Sequence, residues 1–236
     1  MKISVIIPMY NESVIAESTA RELSSYMSEH FDEYEVIFFD DGSSDGCCDI
    51  VNGLGLPFVR ALRYEQNRGK GCAVRHGMLA ADGDIRIFTD ADLAYGMDVI
   101  SRAVDIMKTD ESADIVIGSR NIGKDGYEGY TMHRRLMSKI YIKVLCAVGG
   151  FKLSDSQCGI KAFRGAAADA VFSKCTVDSF AFDFEVILRA NKQGYNISEM
   201  PVKIINHRQS SVRPVRDSLK MLRDLRRIKK EIKKNG

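Results

Sequence analysis

Apolar residues run almost without a break through positions 3–8, 34–39 and 85–88, the pattern of strands buried on both faces. Residues 58–63 and 114–118 predict two further strands. Between the strands the period becomes that of amphipathic helices. These cover residue 13 to about 27, a short piece ending near Gly53, a segment opened by Asn67-Arg68-Gly69-Lys70-Gly71 and running through Leu79, and residues 97–108. Strands alternating with helices at this spacing predict βαβ crossovers and a mostly parallel, doubly wound sheet. In such sheets ligands bind beyond the carboxyl ends of the strands. Residues 8–12, 40–45, 90–92 and Ser119-Arg120 all fall there.

Past Arg120 the pattern is less regular. A glycine-rich loop over residues 121–130 precedes a helix from about 132 to 147. Residues 157–163 read as a strand followed by a short helix, 182–193 as a helix closed by Gly194, and 196–205 as a last strand. Pro201 in that strand favours an edge position or a bulge. With no internal repeat or low-complexity linker, the chain divides into one compact domain, 1–212, and a tail, 213–236.

Composition narrows the class. The chain has 236 residues, 45% of them hydrophobic, and only 4 prolines, enough for a globular core. Its longest uncharged apolar stretch, 144–151, falls far short of the roughly 20 residues of a membrane span. The N-terminus reads as an immediate strand instead of a signal peptide, so a cytoplasmic protein is expected. Six cysteines without a C-x-x-C pair point to reduced thiols and away from zinc.

The formal net charge of +2 conceals a division: the tail holds ten Lys/Arg against three Asp/Glu, and the rest of the chain is acidic. Val215, Leu219, Leu222, Leu225, Ile228 and Ile232 recur at helical steps within it. The tail is thus expected to be a basic amphipathic helix. It either lies on an anionic membrane, making the protein peripheral on the cytoplasmic face, or docks its stripe on the protein. Membrane contact is the favoured expectation. No aromatic interleaving supports nucleic-acid binding, and none is expected.

Asp90 and Asp92 follow the strand at 85–88 with a spacing that places both carboxylates on one face of extended backbone. Two hard oxygen ligands at a strand mouth suit Mg²⁺ or Mn²⁺, completed by substrate phosphates. Taken alone, the pair reads equally as a solvated strand end. Its company at the other strand ends favours the metal.

The motifs Val5-Ile6-Ile7-Pro8-Met9-Tyr10-Asn11-Glu12, Phe39-Asp40-Asp41-Gly42-Ser43-Ser44-Asp45 and Asp90-Ala91-Asp92, in this order, resemble the family-2 glycosyltransferases of the GT-A fold. Asp155-Ser156-Gln157-Cys158-Gly159-Ile160-Lys161, Phe180-Ala181-Phe182-Asp183-Phe184-Glu185 and Arg213-Pro214-Val215-Arg216-Asp217-Ser218-Leu219 look like the branch that glycosylates polyprenyl phosphates. Within it the likeness is to dolichyl-phosphate β-glucosyltransferases, with the mannose synthases next. The Q-x-x-R-W signature of processive synthases is absent from the sequence.

The resemblance implies inverting transfer of a single sugar from a nucleotide-diphosphate donor, UDP-glucose foremost, to a polyprenyl phosphate. GDP-mannose, a glycan hydroxyl acceptor and a non-catalytic nucleotide-sugar-binding protein are the alternatives. It also implies roles. Pro8, Tyr10, Asn11 and Glu12 match the first nucleotide-binding loop, and Asp40 and Asp41, with Ser43 nearby, match the group that holds base and ribose. The same Asp-Asp-Gly-Ser is a good turn and helix start. Lys70, at a helix N-terminus, meets the donor phosphates or sits in solvent; its surroundings are no Walker loop.

Asp90 and Asp92 would hold the metal, with Asp92 also counted as catalytic. Gln157 and Lys161, flanking Gly159, would line the sugar or diphosphate site. Arg120, Arg134 and Ser138 match an acceptor-phosphate set, although Arg134-Arg135 alone reads as a solvated helix start. A phosphate acceptor is largely ionised at neutral pH, with a second pKa of ~6, and needs placing cations in place of a base. Asp183 and Glu185 face apart on a helix. Asp183 is expected at the sugar, or as base for a hydroxyl acceptor, and Glu185 to be structural. The oligomeric state is not legible.

Overall fold

The computed structural model describes residues 1–123, 126, 132–206, 225, 228 and 230. Seven strands form one sheet: β1 (Ile3–Met9), β2 (Tyr34–Asp40), β3 (Val59–Arg63), β4 (Ile85–Phe88), β5 (Ile115–Ser119), β6 (Lys161–Arg164) and β7 (Ile197–Pro201). Their order across the sheet is β3-β2-β1-β4-β6-β5-β7. All pairings are parallel except those of β6, which runs antiparallel between β4 and β5.

The helices are α1 (Ser13–His30), α2 (Cys47–Gly53), α3 (Lys70–Ala80), α4 (Asp98–Thr109), α5 (Met132–Gly149), α6 (Gly165–Phe172) and α7 (Phe182–Lys192). Alternate residues of the central strands feed two cores. Val5 and Ile7 of β1 pack with Ala20 and Leu23 of α1 and Val99 and Val104 of α4, whereas Ile6 packs with Val74 and Met78 of α3 and with α6 and α7. Because β1 and β2 carry apolar residues on both faces, helices must cover both, and the expected doubly wound sheet results.

Two boundaries differ from expectation. The strand read at 157–163 begins at Lys161, and the one read at 196–205 ends at Pro201, on the edge strand, where proline costs no ladder bond. The tail brings a larger difference. Leu225, Ile228 and Lys230 are helical, and Leu225 and Ile228 are buried in the α3–α7 core. These two stripe residues are therefore spent on the protein and not available to a bilayer, contrary to the favoured expectation of membrane contact through the tail. The rest of segment 213–236 lies outside the described residues.

Candidate active site

The parallel register sets Met9 beside Asp40 and Ile6 beside Phe88, so the loops after β1, β2 and β4 open at one edge of the sheet. The first two loops are clipped together. Asn11, at a positive φ of 53° that asparagine tolerates, receives the Ser44 N–H on its Oδ1 and donates its own N–H to Ser43 Oγ. Ser43 in turn donates its N–H to Asp40 Oδ1 over 2.9 Å. Asp45 accepts the Ser13 N–H at the start of α1. Asn11, Ser43, Ser44 and Asp45 are thus interlocked above a buried Asp40, with Tyr10 about half exposed and Glu12 part-buried beside them and Pro8 buried within β1.

Asp41 has a different employment from that expected. Its carboxylate is buried and accepts the Tyr64 hydroxyl, Asn67 Nδ2 at 2.9 Å, Arg68 N–H at 2.8 Å and Gly69 N–H. Four donors fill a carboxylate's acceptor sites. In this structure Asp41 shapes the loop that launches α3, and so places Lys70, instead of offering oxygens to a base or ribose. Tyr64 could not have been found from the sequence, since nothing local marks it.

Lys70 emerges from this loop and donates to Asp90 Oδ1. The antiparallel β6 places Lys161 opposite Phe88, and its lead-in brings Gly159 against the Asp90 carboxylate so tightly that a Cβ there would overlap Oδ2. That close approach is the reason for glycine at 159. Asp92 accepts the Ala94 N–H and also borders an open cleft of about 380 Å³ shared with Thr19, Glu22, Ile205 and Asn206.

Lys161 corrects an expectation. Instead of lining an open donor site it is fully buried, donating to Asp183 Oδ1 at 2.5 Å and Cys158 O at 2.8 Å. Asp183 sits in the first turn of α7 with its side chain 12% exposed. Glu185 is structural, as expected: it accepts the Thr176 and Val177 N–H groups and pairs with Arg189 at 2.7 Å.

Three carboxylates, Asp90, Asp92 and Asp183, thus face two ammonium groups. Burial, with the Asp90 charge adding to it, raises Asp92 above its ordinary value. Burial likewise raises Asp183, against the pull of Lys161. Burial works against the Lys70 charge, but Asp90, Asp183 and Asp92 outweigh it and hold Lys70 above its ordinary value. The cluster is short of positive charge at Asp92. Among the described residues no three or more His, Cys, Asp or Glu side chains are arranged so that together they could hold a metal ion. The donor set is therefore two hard carboxylate oxygens, which fits a magnesium- or manganese-type ion that takes its remaining ligands from phosphates and water.

Arg120, expected at an acceptor phosphate, reaches Asp155 through Nε at 2.6 Å and Nη2 at 3.0 Å. Asp155 is fully buried, and Gln157 donates its N–H to it. Beside them Glu199 accepts the Ser154 N–H and hydroxyl. Asp155 lies in a motif singled out from the sequence, whereas Glu199 carried no signal. Ser138 is half-buried on α5, and the Arg134 side chain lies outside the described residues. The structure brings Lys70, Asp90, Asp92 and Asp183 together; Arg120 and Gln157 form a second group around Asp155.

A mostly parallel sheet with acidic strand ends and one antiparallel strand inserted beside them defines the GT-A fold class. Solved structures of the same fold include glucosyl-3-phosphoglycerate synthase from Mycobacterium tuberculosis, in complex with Mn²⁺, UDP and glucosyl-3-phosphoglycerate, at a TM-score of 0.68 and 20% identity over 96% of this chain and 78% of that one. Mannosyl-3-phosphoglycerate synthase from Rubrobacter xylanophilus matches at 0.74 and 16%, over 100% and 76%.

Residues 4–172 match the family model for glycosyl transferase family 2, and the chain belongs to that family. Among its relatives are the dolichyl-phosphate beta-glucosyltransferases of Dictyostelium discoideum, 31% identical over 96% of this chain and 73% of the relative, and of Saccharomyces cerevisiae, 28% over 94% and 72%.

Proposed function

We propose that the protein transfers one glucose from UDP-glucose to a polyprenyl phosphate, with inversion at the sugar carbon. The observation that supports it most is the carboxylate cluster of a family-2 domain: Asp90 and Asp92 after β4, with Asp183 in the first turn of α7 and Lys70 at the start of α3. The relatives named above act, by their names, on dolichyl phosphate and glucose.

In this reading the loops after β1 and β2, with Pro8, Tyr10, Asn11, Glu12, Asp40 and Ser43, receive the nucleoside. Lys70 meets the diphosphate, and Asp90 and Asp92 hold a divalent ion, Mg²⁺ or Mn²⁺. That ion would supply neutralisation of the charge that builds on the leaving diphosphate. The neighbouring synthase structure with Mn²⁺ and UDP is consistent with this assignment. Asp183 orients the sugar, and Lys161 fixes Asp183 from below. An ionised acceptor phosphate attacks without a general base. Arg120, Gln157, Arg134 and Ser138 are assigned to its side of the site, with residues 1–212 as the catalytic unit.

A donor-by-acceptor panel read by mass spectrometry tests the proposal. UDP-glucose with undecaprenyl or dolichyl phosphate should give the hexosyl lipid phosphate. Transfer only from GDP-mannose, or only to a free sugar hydroxyl, would replace the donor or the acceptor assignment respectively.

A further inference from the structure

Among the described residues, helix α5 keeps one apolar stripe exposed. Ile142 and Leu145 are buried, while Leu136, Ile140 and Val144 are 60%, 49% and 39% exposed. Their spacing of four places the three on one stripe, roughly 12 Å long at 1.5 Å per residue. Lys139 and Lys143, between and beside them, are exposed. The helix sequence carries four Lys/Arg and no Asp or Glu. We infer that this face of α5, and not the tail, seats the protein on an anionic lipid surface.

The chemistry decides among occupants. Exposed aliphatic side chains flanked by lysines suit the boundary between acyl chains and anionic headgroups. A second copy of the chain fits poorly, because an isologous contact would set this acid-free, basic helix against itself. The stripe is also short of the roughly 800 Å² per partner of a stable interface. The tail stripe, by contrast, places Leu225 and Ile228 inside the core. The inference rests on the lipid-acceptor reading for its purpose: α5 also carries Ser138, so the surface that supplies the acceptor would lie along the helix assigned to receive it.

The test is co-sedimentation of the full chain with phosphatidylcholine vesicles, with and without phosphatidylglycerol. The wild type should bind the anionic vesicles and release as salt rises. Leu136→Ser/Ile140→Ser/Val144→Ser should weaken binding at least about tenfold, and each of Lys139→Glu and Lys143→Glu about fivefold or more, from roughly 1 kcal/mol per surface cation. All are surface changes, and transfer to polyprenyl phosphate in detergent should stay at wild-type level. Wild type remaining in the supernatant, or serine and glutamate variants binding as well as wild type, would overturn the inference. So would loss of a concentration-dependent oligomer in the serine variant with vesicle binding unchanged. Vesicle binding that follows the variants, without any transfer to lipid phosphate in detergent, leaves the surface standing and removes the acceptor reading.

Discussion

Replacing Lys161 by methionine keeps most of the side chain's volume and removes one buried charge. Its ammonium is sealed between Asp183, Cys158 O and the Phe88 ring, whose centroid is 5.3 Å away. Breaking one partner of a buried ion pair costs about 3–5 kcal/mol, because the remaining charge is stranded. In a chain of this size a kcal/mol moves Tm by about 2–4 °C, so Lys161→Met should lower Tm by about 10 °C near neutral pH.

The loss should depend on pH. Burial already holds folded Asp183 above its ordinary 3.8, and removing Lys161 raises it further. A carboxyl whose folded value is raised favours the folded state below its unfolded value and loses that contribution as pH rises through the folded one. The deficit of Lys161→Met should therefore be greatest at neutral to alkaline pH and shrink towards pH ~4, the unfolded range. Lys161→Met/Asp183→Asn should recover most of it. The measurement is thermal or urea unfolding followed by circular dichroism across that pH range. A deficit under about 1 kcal/mol, one that does not narrow on acidification, or a double variant no better than the single would refute the stranded-charge argument.

Other outcomes follow from the same geometry. Gly159→Ala should push the Asp90 carboxylate aside and cut transfer on the order of a hundredfold, with the circular dichroism spectrum unchanged, since misplacement by an ångström has that scale. Asp41→Ala strands the donors of Tyr64, Asn67, Arg68 and Gly69; unfolding titrations should show a loss of about 3 kcal/mol, and donor KM should rise as Lys70 loses its placement. Removal of divalent ions with EDTA should abolish transfer and its restoration by Mn²⁺ should fail in Asp92→Asn, with bound Mn²⁺ followed separately by electron paramagnetic resonance.

The parallel half of the sheet was legible because β1, β2 and β4 are apolar on both faces and end in polar turns. The insertion of β6 was not, since its partners β4 and β5 are distant in the chain and strand order leaves no local mark. Residues 157–160 looked strand-like from their composition, yet the backbone there must pass beside Asp90 before pairing starts. Asp90 and Asp92 were legible as a pair only in the company of the other strand-end motifs. What Asp41 and Lys161 do was not, because each is decided by groups far along the chain: Tyr64 and Gly69 for the first, Asp183 for the second. Of the tail's stripe, Leu225 and Ile228 are helical, but periodicity is silent on whether protein or lipid covers such a stripe.

The most direct test of glucosyl transfer to a lipid phosphate is a mass-spectrometric assay of UDP-glucose, polyprenyl phosphate and Mn²⁺ with wild type and Asp92→Asn side by side. The expected result is a lipid phosphate heavier by one hexose with the wild type and none with Asp92→Asn. No hexosyl lipid phosphate from the folded wild type, or equal product from both proteins, would contradict it.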